Sequence, residues 1–129
     1  MKYLGVDFGL KRIGLSISEG ELASPYKVIE VRSMNDAVVK MIQIILTKKV
    51  DRVVVGMPEG KTGELAKKFI KKIQQKGLDV VETDETLSSQ LAQANMIEMG
   101  IPKKKRQIND AQAAAEILQG YLDERKGAL

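Results

Sequence analysis

The clearest candidate for chemistry in this 129-residue chain is Asp7, which stands at the end of an apolar segment. Residues 3–6 read as a buried strand, and residues 8 and 9 follow the acid as a turn. A carboxylate at the tip of a buried strand is costly unless a cation meets it. Because the chain has no histidine and no cysteine, we expect a metal ion, a phosphate held through a metal ion, or a lysine to fill that role.

We expect three further acids to lie near Asp7. Asp84 and Glu85 come directly after a short strand, and Asp110 stands in the first turn of a helix predicted to begin at Asn109. Ligands of open α/β sheets bind outside the carboxyl ends of the parallel strands. Carboxylates that converge there repel one another unless a cation lies among them. Two Mg²⁺ or Mn²⁺ ions held by such a group would activate a water molecule and stabilise a leaving oxygen, as in phosphodiester hydrolysis.

Each acid also has a purely structural interpretation. Asp7 could be a turn residue, although its place between an apolar strand and a glycine favours function. Asp110 at a helix start would gain from the helix dipole without any catalysis. Asp84 and Glu85 precede a helix predicted from Ser88 to Met99, where acids also stabilise. Neighbours on a strand face opposite sides, so we expect only one of this pair to enter the site.

Two basic segments are open to both interpretations. One is a predicted loop made of Lys103, Lys104, Lys105 and Arg106. Such a loop is usually solvated, but beside the acids it would contact phosphates. The other is the lysine-rich face of a helix predicted over 64–76, which is more often solvent surface than a binding groove. The Gly-Lys-Thr triplet at 60–62 is not a P-loop, because the motif needs a glycine where Val55 stands.

The elements that would position these groups follow the order β-β-β-α-β-α-β-α-α. Strands are predicted near 3–7, 13–18, 26–31, 52–56 and 78–83, and helices from Ser33 or Asn35 to about Lys49, over 64–76, over 88–99 and from Asn109. The apolar β-branched run at 53–55 is typical of a central parallel strand. We therefore predict an α/β fold, with a mixed five-stranded sheet, helices on both faces, and strands one, four and five parallel and adjacent.

Composition narrows the classes of function. The absence of cysteine and histidine excludes thiol and Ser-His catalysis and the usual zinc sites. Twenty-one Lys and Arg against 17 Asp and Glu give a net charge of +4, which fits nucleic acid without demanding it. With no apolar run near about 18 residues and no signal peptide, we expect a cytoplasmic protein that does not cross a membrane.

Four segments in order resemble the YqgF (RuvX) family: VDFGLKRIG at 6–14, VGMP at 55–58 with Gly63, DETLSS at 84–89, and NDA at 109–111 leading to residue 122. That family is similar to RuvC Holliday junction resolvases and has the ribonuclease H-like fold. The resemblance implies a single ribonuclease H-like nuclease domain over residues 1–129. It also implies a metal-dependent nuclease that trims the 5′ end of the 16S rRNA precursor.

The resemblance also assigns roles to individual residues. Asp7, Glu85 and Asp110 would be the metal-binding and catalytic acids, with Asp84 as the less favoured member of the acid pair. Lys11 and Arg12 would reach phosphates beside the first acid. The expected cofactor is Mg²⁺ or Mn²⁺ in a two-metal site. The expected partner is nucleic acid, with structured RNA favoured over branched DNA, and a homodimer is compatible with an uncovered strand or helix face.

The chain departs from the family pattern in several places. Leu10 stands where threonine is expected, Thr86 where arginine is expected and Asn109 where an apolar residue is expected, and the stretch after Gly63 is several residues short. These departures leave two alternatives to an rRNA nuclease: a Holliday junction resolvase-like DNase, and a catalytically silent nucleic-acid-binding module. An ATP-handling domain of the actin and sugar-kinase type is disfavoured, because such proteins need two similar domains around the nucleotide.

Overall fold

The fold is built on a mixed five-stranded sheet, seen in a computed structural model that describes residues 1–58, 60–84 and 103–127, the last range with side chains at 110–125. The strands are β1 (Tyr3–Asp7), β2 (Arg12–Ser18), β3 (Ser24–Glu30), β4 (Arg52–Met57) and β5 (Val80–Asp84). They lie in the order β3-β2-β1-β4-β5. β2 is antiparallel to both of its neighbours, whereas β1, β4 and β5 are parallel and adjacent, as predicted.

Three described helices cover the two faces of this sheet: α1 (Met34–Thr47), α2 (Gly60–Gln74) and α3 (Lys103–Gly127). Helix α1 begins after Ser33, whose hydroxyl accepts a hydrogen bond from the Asp36 amide at 3.1 Å and so pairs one of the free amides at the helix start. The chain leaves α2 through Gly77, which has a φ of 83° that favours glycine. No helix within the described ranges combines the length and apolar character needed to cross a membrane.

Side chains alternate between the two faces of the sheet and build a core on each. Leu4 and Val6 belong to the cluster that contains the buried faces of α1 and α2. Tyr3 and Val54 belong to a second cluster with Leu118 of α3. Each fully buried side chain of this size contributes about 1.5–3 kcal/mol. The predicted placement of helices on both faces is therefore confirmed.

Helix α3 packs directly against the backbone of the sheet, because the strands beneath it carry small residues. A Cβ atom on Gly5 would lie 2.7 Å from the Leu118 Cβ and 2.8 Å from the Ala114 carbonyl oxygen. The buried Ser16 hydroxyl donates to that same carbonyl oxygen at 2.7 Å. A larger side chain at either strand position would push the helix outward and with it every group that the helix carries.

The start of α3 differs from the prediction. The basic segment 103–106, predicted as a loop, forms the first residues of the helix. Asn109 is therefore inside the helix rather than at its cap, and Asp110 lies about two turns from the start. Lysine and arginine are good helix formers, and a run of charge is compatible with a helix as well as with a loop. The helix dipole acts on charges in the first turn. It therefore does not explain an acid at position 110, two turns into the helix.

Two other boundaries also differ. Helix α2 begins at Gly60, four residues before the start predicted at residue 64. Strand β3 begins at Ser24 and includes Pro25, which an edge strand tolerates because one side of it needs no ladder hydrogen bonds. The predicted helix over 88–99 and the acid Glu85 lie outside the described residues.

Candidate active site at the end of the central strands

Asp7 ends β1 between two glycines. The register pairs it with Gly14 of β2 on one side and with Gly56 of β4 on the other. Residues opposite one another in a sheet point to the same face, and Gly56 lies against Ile117 of α3. The carboxylate of Asp7 is therefore on the α3 face, half-buried, with no side chain on either neighbouring strand position to crowd it.

Asp110 is brought to the same place by a close contact between helix and sheet. A Cβ atom on Gly14 would collide with the backbone carbonyl of Asp110. On the other side of Asp7, a Cβ atom on Gly56 would lie 2.5 Å from the Ile117 Cδ1. Glycine at these two positions thus lets α3 lie directly over the end of β1. The sequence contains both glycines, but only the register of the folded sheet places Gly14 and Gly56 on either side of Asp7.

The two acids line one open pocket of about 480 Å³ at the rim of the sheet. Its walls are Asp7, Phe8, Gly9, Leu10, Lys11, Arg12, Thr62 and Asp110. Four of the predicted site residues therefore meet here, although Asp7 and Asp110 are far apart along the chain. Leu10, one of the departures from the family pattern, is an exposed part of this wall.

Arg12 pairs directly with Asp110. Its Nε lies 3.2 Å from Asp110 Oδ2, and the two side chains are 34% and 20% exposed. Arg12 was predicted to reach phosphate, and nothing in the sequence pattern indicated this pairing. The guanidinium places a positive charge beside an acid at the pocket, as a bound cation would, and its remaining N–H groups are donors suited to a phosphate.

Helix α2 contributes a wall that the sequence did not predict. Thr62, in the first turn of α2, lines the same pocket as the two acids. The first amides of a helix have no partner within the helix and form the positive end of its dipole. The sequence predicted a helix start at Glu64, which would have left Thr62 in a loop. Thr62 lies in the first turn of α2 because the helix begins at Gly60.

Not every predicted site residue reaches the pocket. Asp84 is opposite Met57 in the register, and Met57 packs against the core of the α1 and α2 face. Asp84 is therefore exposed on the face away from Asp7 and does not line the pocket. Glu85 lies outside the described residues, as do the side chains of Lys103, Lys104, Lys105 and Arg106, so their predicted roles stay predictions.

The two acids of the pocket fit a metal ion that takes only one or two of its ligands from the protein. Within residues 1–58, 60–84 and 103–127, no three carboxylates are grouped closely enough to hold a metal ion together. Mg²⁺ usually takes one or two carboxylates from the protein and completes its shell with water and substrate phosphates. Asp7 and Asp110, on a pocket open to solvent, fit that donor set.

Comparison with known proteins identifies the family. A family model described as "RuvX: Holliday junction resolvase" matches residues 1–124. The chain belongs to the RuvX family. A relative from Acetivibrio thermocellus, named "Putative pre-16S rRNA nuclease", is 39% identical over 97% of each chain. A relative of the same name from Ruminiclostridium cellulolyticum is 37% identical over 98% of this chain and 97% of its own. The resemblance stated from four sequence segments is confirmed.

Solved structures of resolvases share the fold. The Thermus thermophilus RuvC in complex with a Holliday junction substrate superposes with a TM-score of 0.65 at 16% identity, covering 98% of this RuvX chain and 97% of its own. The fowlpox virus resolvase in complex with Holliday junction DNA gives 0.65 at 14% identity, covering 96% and 98%. At these identities the likeness shows the fold alone, and it confirms the predicted ribonuclease H-like architecture.

Proposed function

We propose that this protein is a divalent-metal-dependent nuclease that hydrolyses phosphodiester bonds during 5′-end maturation of pre-16S rRNA. The observation that carries the proposal is that Asp7 and Asp110 line one pocket with Lys11 and Arg12 in a chain of the RuvX family. The names of its relatives support an rRNA precursor as the substrate. In this proposal residues 1–129 act as one nuclease domain in the cytoplasm, where ribosomes are assembled, and the homodimer stays a prediction.

The acids of the proposed centre are Asp7, Asp110 and Glu85. The first two supply carboxylate oxygens of the kind that Mg²⁺ and Mn²⁺ prefer. We favour Glu85 over Asp84 for the third position, because Asp84 is on the opposite face from the pocket. When bound there, the metal would lower the pKa of a water molecule and stabilise the charge on the leaving oxygen.

The basic residues of the pocket orient the substrate. Lys11 is exposed at the pocket wall and provides a mobile point charge for a phosphate. Arg12 offers a planar donor set, part of which is engaged by Asp110. The positive end of α2 at Thr62 adds a fixed dipole that attracts the same phosphate group. Lys103, Lys104, Lys105 and Arg106 at the start of α3 are proposed as further phosphate contacts.

The decisive experiment removes one carboxylate at a time. Asp7→Asn and Asp110→Asn should each reduce cleavage of a pre-16S rRNA fragment by more than about a hundredfold in Mg²⁺ or Mn²⁺, since each removes a metal ligand. Asp123→Asn is the matched control, because it removes an acid of the same helix that bonds only to Gln119 at 3.0 Å in the described contacts. Unchanged cleavage by the Asp7 variant, in a preparation free of other nucleases, would reject the assignment.

A four-way DNA junction is the second candidate substrate. The description of the matching family favours it, and the same pocket would serve either nucleic acid. Both substrates should be offered to one preparation, with and without EDTA. Faster metal-dependent cleavage of the RNA supports the proposal, and faster cleavage of the junction replaces it. Binding of both without cleavage in either metal identifies a silent nucleic-acid-binding module.

A further inference from the structure

We propose that α2 is a second nucleic-acid contact, a straight ridge of lysines that holds a double-stranded arm of the substrate beside the pocket. This inference rests on the proposed function, since it concerns the same substrate. The lysine ridge is defined by the five lysines of α2: Lys61, Lys67, Lys68, Lys71 and Lys72. All five are exposed.

The ridge holds an unusual share of the protein's charge. Five lysines and one glutamate give α2 a net charge of +4, which equals the net charge of the entire chain. The ion pairs found in the described part of the protein involve none of these lysines. Counting Glu64 of the same helix, the ridge therefore presents a net positive charge to a partner that approaches this side, as far as the described residues show.

The spacing of the lysines works against the helix itself. Lys67 and Lys71 are four residues apart, as are Lys68 and Lys72, and like charges at this spacing destabilise a helix. The opposite face of α2 is held down by buried side chains, which are Ala66, Phe69, Ile70 and Ile73. The buried face thus fixes the helix rigidly enough to keep these lysines in two outward rows. A polyanion laid along the rows would relieve their repulsion.

The ridge begins at the active site. Thr62 lines the pocket, and Lys61 precedes it in the first turn of α2. From Lys61 to Lys72 the ridge covers eleven residue steps, roughly 17 Å. That length matches about five base pairs of duplex at 3.4 Å each. A substrate that enters the pocket with a helical arm on this side would therefore contact the ridge along about half of a turn.

The chemistry of the ridge favours a duplex over a single strand. Unpaired bases are bound by stacking on aromatic side chains. Phe69, the aromatic residue of α2, is fully buried, so the ridge offers charge without any ring on which a base could stack. Such a surface reads the phosphate backbone and its shape, and it is indifferent to base sequence.

The test measures binding with EDTA present, so that cleavage does not intervene. The probes are two fluorescent RNA hairpins with the same single-stranded end, one with a 12-base-pair arm and one with a 3-base-pair arm, and DNA copies of both. The variants are Lys67→Gln with Lys71→Gln, and Lys68→Gln with Lys72→Gln, since glutamine has a helix propensity close to that of lysine. The charge-matched control is Lys27→Gln with Lys48→Gln, away from the pocket and beside Tyr26.

For the long arm, each ridge pair should weaken binding roughly tenfold and lower the slope of log K against log salt by about two, because each missing lysine leaves one phosphate with its counterion. The control pair should leave the slope unchanged. The short arm, at about 10 Å, reaches Lys67 and Lys68 but not Lys71 and Lys72, so each ridge pair should lower its slope by at most about one. Equal weakening by the ridge and control variants, equal weakening of the long and short arms, or unchanged binding would each overturn the inference.

Cleavage of the pre-16S fragment by the wild-type protein in Mg²⁺ is measured in parallel. If the wild type cleaves and the ridge variants bind the long arm normally, the lysine ridge fails and the proposed function stands. If the wild type neither binds nor cleaves, both fail. An effect on the DNA hairpins equal to that on RNA supports the inference, because backbone contacts are shared by the two duplexes.

Discussion

The two ends of the sheet each carry an arginine paired with an aspartate, and the two pairs are built differently. At the end opposite the pocket, Arg52 donates to Asp79 at 2.8 Å and to the Tyr121 hydroxyl at 3.1 Å. These bonds, chiefly the one to Asp79, raise the pKa of the Arg52 guanidinium. At the pocket, Arg12 reaches Asp110 at the longer distance of 3.2 Å, beside open space.

The difference separates a pair that connects parts of the fold from a pair that we propose to act in binding metal and substrate. Arg52 ties β4 to the residue before β5 and to α3, so its bonds connect three parts of the fold that must stay together. Arg12 connects β2 to α3, but there the glycine contacts already fix the helix. Its charge is therefore available to compete with a metal for Asp110 or to meet a phosphate. We expect changes at the first pair to act on stability and changes at the second to act on binding.

The largest effect should come from the glycine that lets the pocket pair form. Gly14→Ala places a Cβ atom against the Asp110 carbonyl, which should cost about 2–3 kcal/mol and lower the melting temperature by roughly 10 °C. Cleavage should fall as well, because α3 must move with Asp110. Gly20→Ala is the control, since nothing lies within 4 Å of its added Cβ atom. A Gly14 variant as stable and active as the wild type would contradict the tight packing of α3 on β2.

That glycine also shows what could be predicted from the sequence and what could not. The strand order and Asp7 at a strand end followed from hydrophobic patterns that are local in the chain. The meeting of Asp7 with Asp110 was expected from topology. The pairing of Asp110 with Arg12 and the glycines that allow it depend on which residues lie opposite one another across strands and helix. No local pattern carries that information.

Removal of the structural arginine should have the next largest effect. Arg52→Ala should destabilise the protein by about 1 kcal/mol, because it breaks two side-chain hydrogen bonds of a partly exposed group. Chemical denaturation at pH 7 measures this, and cleavage at a temperature well below unfolding should be unaffected. Arg52→Lys tests the role of geometry, because lysine keeps the charge without the planar donor set. A loss of cleavage without a loss of stability would place Arg52 in the active site instead.

Replacement of Arg12 in the pocket should change metal binding and leave stability nearly unchanged. Arg12→Ala should change stability by less than about 0.5 kcal/mol and should raise the affinity for Mn²⁺ several-fold, since the guanidinium no longer competes for Asp110. Isothermal titration in the absence of substrate measures the affinity. Lys11→Ala removes one positive charge from the same pocket and separates the general electrostatic effect from the direct contact. Weaker Mn²⁺ binding by the Arg12 variant would show instead that Arg12 positions Asp110 for the metal.

The smallest effect concerns a third acid, Asp36, which serves as a reference for an ordinary structural carboxylate. It accepts a hydrogen bond from the Arg32 amide at 2.9 Å and pairs with Lys40 at 3.2 Å. The amide hydrogen bond lowers the pKa of Asp36 more than any other contact does, and Lys40 lowers it further. Because the folded-state pKa lies below the unfolded value, the stabilisation is present above about pH 4 and is lost as the pH falls through the folded value.

Asp36→Asn should therefore be less stable than the wild type at pH 7, and the difference should shrink below about pH 4. Ser33→Ala is the contrasting variant, because it removes the neutral cap of the same helix and should cost about 1 kcal/mol at every pH. Thermal melts of both variants between pH 2 and pH 7 give the two profiles. Parallel profiles would contradict this prediction, because they would mean that the contacts of Asp36 do not depend on its charge.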